Sequence, residues 1–280
     1  MPESFGTRLG RALATRGPIC AGIDPHAGLL EAWGLPVNVH GLSEFSKRAL
    51  DGLSEAAAIK PQSAFFERFG AAGVAVLEEL LQSARERGVI TILDVKRGDI
   101  GSTMAGYAAA YLPQGAPLEA DAITVAPYMG PAAFDETAQL AAEHGKGLFA
   151  LALTSNPQGA TLQRSVGQGK TVARQVIEWT RAKNEQFDAG QKVGSFGVVI
   201  GATIADRTQV VGEALAGYTG PILMPGFGAQ GGSVNAEDAG LNIVVSSSRA
   251  VLKAGPNPAD LATALKATNR EIMSALEGVS

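Results

Sequence analysis

The sequence predicts an α/β fold, a single (β/α)8 TIM barrel spanning residues 1–280. Three observations predict it. The length, 280 residues, is close to the ~250 typical of one such barrel. Eight short apolar, β-branched runs recur along the chain, each nearly continuous, as strands covered on both faces by other elements should be. Segments of helical period separate them, and strands alternating with helices from end to end point to parallel βαβ units. Eight such units argue for closure into a barrel rather than an open sheet.

The elements follow in chain order. Phe5, Leu9 and Leu13 recur at helical spacing, so an amphipathic helix leads into the first strand, ICAGID (19–24). The second strand is AAAIK (56–60), ended by Pro61, which holds Lys60 extended. In GVAVLEELLQSARERG, Val74, Leu77, Leu80 and Leu81 keep the 3.6 period, and Gly88 closes that helix before the third strand, VITILD (89–94). AITVA (122–126) and LFALALT (148–154) are the fourth and fifth strands. The interval 156–195 is the longest between strands and is read as an extra loop plus one helix, TVARQVIEWTRAKNEQF. FGVVIG (196–201), PILMPG (221–226) and IVVSSS (243–248) complete the eight. A last helix carries the stripe Leu261, Leu265, Thr268, Ile272 and Leu276.

Composition excludes several functions. A net charge of -4 without a basic tract argues against nucleic acid as a partner, while a small anion needs only a few placed cations. Cys20 is the lone cysteine, which rules out an internal disulfide and a Cys-rich zinc site. Its apolar surroundings (PICAGI) make it an inert, buried thiol. No run approaches ~18 apolar residues, so no membrane span is expected. The N-terminus lacks the apolar core of a signal peptide, and a cytoplasmic setting is expected.

The chemistry belongs at the C-terminal ends of the strands, where barrel enzymes build their sites. Polar residues recur there: Asp24, Lys60, Asp94, Ser155 and Arg249. A charge at such a place is costly unless it is paired or used. The densest cluster is LDVKRGDIGSTMAGYA (93–108). Asp94 and Lys96 stand two apart, so the strand period puts both on one face. Asp99 follows where the chain turns towards a helix, and Lys60 on the neighbouring strand comes beside Asp94. The expected result is an alternating array, Lys60–Asp94–Lys96–Asp99. Between two carboxylates Lys96 stays protonated, a general acid or electrostatic partner for an anion and a poor Schiff-base nucleophile. The second cluster pairs MPGFGAQGG (224–232), after the seventh strand, with SSSRA (246–250), after the eighth. Gly-rich backbone, the start of a following helix and the Arg249 fork suit a phosphate.

The histidines read as structural. His144 precedes Gly145 at a helix end, where it suits the helix dipole. His40 falls in a loop. His26 lies on the active rim, where it could also touch substrate. No histidine pair has ligand spacing and the carboxylates are matched by lysines, so neither a metal nor any other cofactor is expected. Trp33 and Trp179 read as packing residues.

GIDP (22–25), IKPQ (59–62), DVKRGDIGST (94–103), TSNP (154–157), PGFGAQGG (225–232) and SSSRA (246–250) together resemble the orotidine 5'-phosphate decarboxylase family, in that order along the barrel. The resemblance implies cofactor-independent loss of CO2 from orotidine 5'-monophosphate to give UMP. It implies that Lys96 protonates C6, that Asp94 lies against the departing carboxylate, and that Lys60 bridges the array and the ribose. Asp24 would bind a ribose hydroxyl and Ser155 the pyrimidine edge. Gln230 and Arg249 would grip the phosphate, with Ser248 offering backbone. Asp99 and Thr103 would enter the site of the neighbouring subunit, making a homodimer with shared active sites. Compact members of the family lack so long a 156–195 interval. Two rivals are a magnesium-dependent phosphosugar decarboxylase or aldolase of the same superfamily, which shares D-x-K-x-x-D, and a non-catalytic nucleotide-binding barrel. TSNP and Gln230 argue against the first, and the complete charge array against the second.

Overall fold

The structure is a computed structural model that describes residues 2–227, 232, 234, 238 and 240–278. Eight parallel strands make its central sheet: β1 (Ile19–Ile23), β2 (Ala58–Pro61), β3 (Ile92–Arg97), β4 (Ala122–Val125), β5 (Gly147–Leu153), β8 (Phe196–Ile200), β9 (Ile222–Pro225) and β10 (Ile243–Ser247). Two further strands, β6 (Val166–Gly167) and β7 (Lys170–Thr171), form a separate antiparallel hairpin. The sheet runs β2–β1–β10–β9–β8–β5–β4–β3. Its ends meet where Ile59 pairs with Thr91 and Gln62 with Asp94, and Ile59 N–H donates to Ile90 O at 2.8 Å. The result is the (β/α)8 barrel that the alternating pattern predicts.

The helices are α1 (Phe5–Arg16), α2 (Ala27–Ala32), α3 (Val39–Leu53), α4 (Ala64–Glu67), α5 (Gly70–Glu86), α6 (Gly101–Tyr111), α7 (Asp135–Glu143), α8 (Gly159–Gln163), α9 (Val172–Phe187), α10 (Arg207–Val211), α11 (Arg249–Leu252) and α12 (Pro258–Glu277). None among the described residues is long and apolar enough to cross a membrane.

The strand period sorts the strand residues into two cores. One alternate set (Ile19, Ala21, Ile59, Leu93, Ile123, Val245) packs outward under the helices. The other (Cys20, Ala58, Ile92, Ala122, Phe149, Val199, Leu223, Val244) fills the lumen. Helix α1 closes the bottom of that lumen, with Phe5 edge-on to Phe149 at 6.0 Å and Leu9 beside it. Burial and dry packing push the Cys20 thiol up to about 12, against a smaller opposite pull from Lys60. Two residues higher on the lumen face, the same alternation reaches Lys60, Asp94, Thr124 and Ser246. Polar side chains thus replace apolar ones only at the top of the barrel.

Several expectations need correction. His40 lies in the first turn of α3 rather than in a loop, because Asn38 caps that helix by accepting from Gly41 N–H at 3.0 Å. Strand β3 begins and ends three residues later than predicted, so Asp94 lies inside it and not at its end. The 156–195 interval holds α8 and the hairpin besides α9. Two-residue strands are too short to show a period. His144 caps α7 as expected. Trp33 stacks on Phe45 at 4.2 Å and Trp179 donates to Asp135, both in packing roles.

Candidate active site

Asp94 is the centre of the site. It is nearly buried, and each of its oxygens takes two donors. Oδ1 accepts from Lys96 Nζ at 2.6 Å and from Thr124 Oγ1 at 2.8 Å; Oδ2 accepts from Lys60 Nζ and Gln62 Nε2, both at 3.0 Å. Burial alone would raise its pKa, but Lys60 and Lys96 outweigh that and hold the carboxyl well below the usual range. Lys60 is equally buried. Burial disfavours its charge, while Asp94 first and Asp24 second restore it, so its pKa ends above the ordinary lysine value. A carboxylate between two ammonium groups therefore stays ionised inside the barrel mouth, as the array Lys60–Asp94–Lys96 requires.

Lys96 owes its place to backbone geometry as well as to strand period. Its φ is +45°, in the left-handed region that costs a non-glycine residue about 1–3 kcal/mol. The β3–β4 register slips between Leu93 and Arg97, at the same point. Lys96 N–H donates to Thr124 Oγ1 at 2.9 Å. That one hydroxyl thus ties the strained backbone to the carboxylate the lysine side chain contacts. The ammonium end remains accessible, the side chain being 46% exposed.

These residues floor a cavity of about 660 Å³ at the top of the barrel. Its walls bring together Asp24, Ser155, Ser248 and Arg249 as the sequence predicts, and add Phe65, Gln62, Thr154, Asn156 and Gln163. Asp24 Oδ1 and Ser248 Oγ are buried and have no hydrogen-bond partner among the described residues, so the wall holds polar atoms left unsatisfied. Gly22 makes room for both: a Cβ there would lie 2.7 Å from Ser248 Cβ and 3.4 Å from Asp24 Oδ2. Arg249 opens α11 as an exposed cation on the wall, beside Gly226 and Phe227. Gln230 lies outside the described residues. His26 lines the cavity, but its Nδ1 accepts from Leu29 N–H at 3.2 Å, so it also caps α2.

Two predicted residues lie elsewhere. Asp99 does not line the cavity of its own chain, and its Oδ1 accepts from Ile100 N–H at 2.8 Å. Thr103 is exposed on α6, near Ile100, which is 61% exposed. Of the two carboxylates expected beside Lys96, the chain itself supplies Asp94. Among the described residues no group of three His, Cys, Asp or Glu is placed to hold a metal ion. Thr124 and Gln62 were missed by the sequence reading. The available signal was the period of two, since Thr124 stands two after lumen-facing Ala122 and Gln62 two after Lys60.

Comparison with known proteins is consistent along the whole chain. The profile of the orotidine 5'-phosphate decarboxylase / HUMPS family matches residues 17–265. The orotidine 5'-phosphate decarboxylase of Salinispora arenicola is 49% identical over 288 aligned positions, covering 99% of both chains. That of Streptomyces coelicolor is 47% identical, covering 98% of this chain and 99% of its own. A crystal structure from Streptomyces avermitilis, described only provisionally as an orotidine 5'-phosphate decarboxylase, superposes with a TM-score of 0.91 at 45% identity over 98% of this chain and 96% of that one. Leishmania donovani OMP decarboxylase superposes with a TM-score of 0.74 at 28% identity, over 98% and 99% of the two chains.

Proposed function

This chain belongs to the orotidine 5'-phosphate decarboxylase / HUMPS family, and from that premise we propose that it removes CO2 from orotidine 5'-monophosphate to give UMP. The observation that carries the reading is the buried Asp94 carboxylate held between Lys60 and Lys96, at 3.0 and 2.6 Å, on the floor of a cavity walled by Arg249.

Breaking the C6–carboxylate bond leaves its electron pair in an sp2 orbital orthogonal to the ring π system, so the ring gains little by resonance. In this reading Lys96 Nζ gives a proton to C6 as that pair develops. General acid catalysis supplies about 10²–10⁴-fold. The larger share comes from charge fixed in advance around C6 and from binding energy at the distant phosphate. Asp94 faces the substrate carboxylate, and their repulsion is relieved as neutral CO2 departs. Lys60 keeps Asp94 ionised and reaches the ribose, Asp24 takes a ribose hydroxyl, and Ser155 meets the pyrimidine edge. Arg249, with Ser248 backbone and Gln230, holds the phosphate. Both Asp94 oxygens are already committed to ammonium, amide and hydroxyl donors, an arrangement that disfavours a divalent cation beside them.

The proposal includes a cytoplasmic homodimer acting on the nucleotide alone, with no nucleic acid bound. Asp99 and Thr103 of each subunit would complete the other's site. Their position outside the cavity of their own chain, beside exposed Ile100, supports this.

The test is a spectrophotometric assay of purified protein on orotidine 5'-monophosphate, with and without EDTA. Equal turnover in both is expected. Activity lost with EDTA would favour the magnesium-dependent relative, and UMP binding without turnover a nucleotide-binding barrel.

A further inference from the structure

The segment between β5 and α9, longer than a compact barrel needs, starts with α8, and α8 ends on Gln163. The Gln163 amide grips Thr154 at two points: Oε1 accepts from Thr154 N–H at 2.8 Å and Nε2 donates to Thr154 Oγ1 at 2.7 Å. The Thr154 hydroxyl in turn donates to Asn156 Oδ1 at 2.6 Å. The Asn156 amide thus turns its oxygen to Thr154, and its NH2 has no hydrogen-bond partner among the described residues. Two glycines show that the relay is closely fitted. A Cβ at Gly159 would lie 2.9 Å from Thr154 Oγ1 and 3.0 Å from Gln163 Nε2. On the other side, a Cβ at Gly201 would lie 3.1 Å from both Ser155 N and Ser155 Cβ. Thr154, Ser155, Asn156 and Gln163 all line the cavity that holds Lys96.

A turn that follows a strand end without regular hydrogen bonds is free to present its polar groups in several ways. Here a side chain nine residues away holds it in one. We propose that Gln163 is a positioning residue for base specificity: it holds Thr154–Asn156 so that Ser155 and Asn156 offer a fixed pattern of hydrogen-bonding groups to the edge of a pyrimidine. The inserted α8 thereby acts in substrate choice and not in the carbon–carbon bond cleavage. The inference rests on the nucleotide reading above, though not on turnover. A site built to hydrogen-bond one edge rejects an analogue with the wrong donor and acceptor, because buried polar groups are left unpaired. UMP and CMP differ at this edge, a carbonyl against an amino group.

The experiment measures binding of UMP, CMP and ribose 5-phosphate by calorimetry to the wild type, Gln163→Ala, Gln163→Glu and Gly159→Ala. Wild type should prefer UMP. Gln163→Ala should lower the UMP-to-CMP affinity ratio about tenfold, the scale of one misplaced hydrogen bond, with ribose 5-phosphate affinity unchanged. Gln163→Glu keeps an acceptor for Thr154 N–H but takes the Thr154 proton away from Asn156, so it should lower the ratio too. Gly159→Ala pushes into the relay without altering its chemistry and should act in the same direction. A wild type that does not distinguish UMP from CMP, or a ratio within twofold of wild type in folded Gln163→Ala, would overturn the proposal. Should Gln163→Ala fail to fold, the ratio in Gln163→Glu decides. Absence of orotidine 5'-monophosphate turnover by the wild type would sink the decarboxylase reading alone, since the binding ratios do not depend on turnover.

Discussion

Replacing Lys96 by alanine separates chemistry from stability more sharply than any other change at this site. Its side chain is 46% exposed and it pairs with Asp94 Oδ1 at 2.6 Å. After the substitution Asp94 still holds Lys60, Gln62 and Thr124, so no buried charge is abandoned. A half-exposed pair is worth about 0.2–1 kcal/mol. Alanine at φ +45° relieves no strain, so that loss is the whole effect on the fold. In a chain of this size it amounts to about 0.5–4 °C in Tm. Chemistry should suffer far more. Losing a general acid costs about 10²–10⁴-fold and losing a placed charge near the reacting carbon about 10²–10³-fold, together about 10⁴–10⁷-fold in kcat. UMP affinity should change only a few-fold, because ribose and phosphate contacts lie elsewhere. The assay is loss of orotidine 5'-monophosphate absorbance, with calorimetry for UMP and differential scanning for Tm. Retention of more than a few per cent of kcat, or a parallel collapse of UMP binding, would refute the role given to Lys96. Lys60→Ala is the control. It removes the buried ammonium and leaves Asp94 Oδ2 with the neutral Gln62 amide alone, which should cost more, up to about 3–5 kcal/mol, so a Lys96 variant less stable than a Lys60 variant would overturn the burial argument.

Three further outcomes are expected. Arg249→Ala should weaken binding of the phosphorylated substrate and barely affect turnover of orotidine lacking its phosphate, a truncated substrate that never uses the grip; equal losses on both would make Arg249 structural. Mixing the inactive variants Lys96→Ala and Asp99→Ala, with subunit exchange confirmed, should restore roughly a quarter of sites if hybrid dimers carry shared sites, and none if Asp99 serves its own chain. The third outcome concerns pH. Asp94 has a folded pKa below its unfolded value of ~3.9, so its stabilisation is present above that value and fades as pH falls through the folded pKa. Lys60 has a raised folded pKa, so its share is complete below ~10.4 and fades as pH rises through the folded value. The stability gap between wild type and Asp94→Asn, read from urea midpoints, should therefore stay level from about pH 5 to 9, narrow in acid below about pH 4 and narrow again in alkali above about pH 10; a gap that varies between pH 6 and 8 would contradict the assignment.

The barrel was legible because burial writes itself into composition. Strands covered on both sides must be apolar at nearly every position, so ICAGID, AITVA and IVVSSS stand out without knowledge of their partners. The same rule made Lys60 and Asp94 conspicuous as charges where none is tolerated unpaired, and consecutive strands made them neighbours. Thr124 was not legible. Its hydroxyl matters only because β4 pairs with β3 in a register that sets Ala122 beside Ile92, and because the slip after Leu93 turns Lys96 N–H towards it. The left-handed backbone of Lys96 falls within that slip, and no local signal marks it, since lysine has no preference for positive φ. Gln163 belongs to a five-residue helix too short to show a period, and its partner Thr154 lies across a turn. Asp99 stands in the same motif as Lys96, yet within its own chain it leaves the cavity, because motif spacing measures distance along a chain and not its direction after the strand ends. By itself, then, the sequence determined which residues must be buried and which charges need partners, since these depend on transfer from water and on a period of two. Which hydroxyl, amide or backbone N–H answers those charges was decided by strand register and loop path, and these exist only once the barrel has closed.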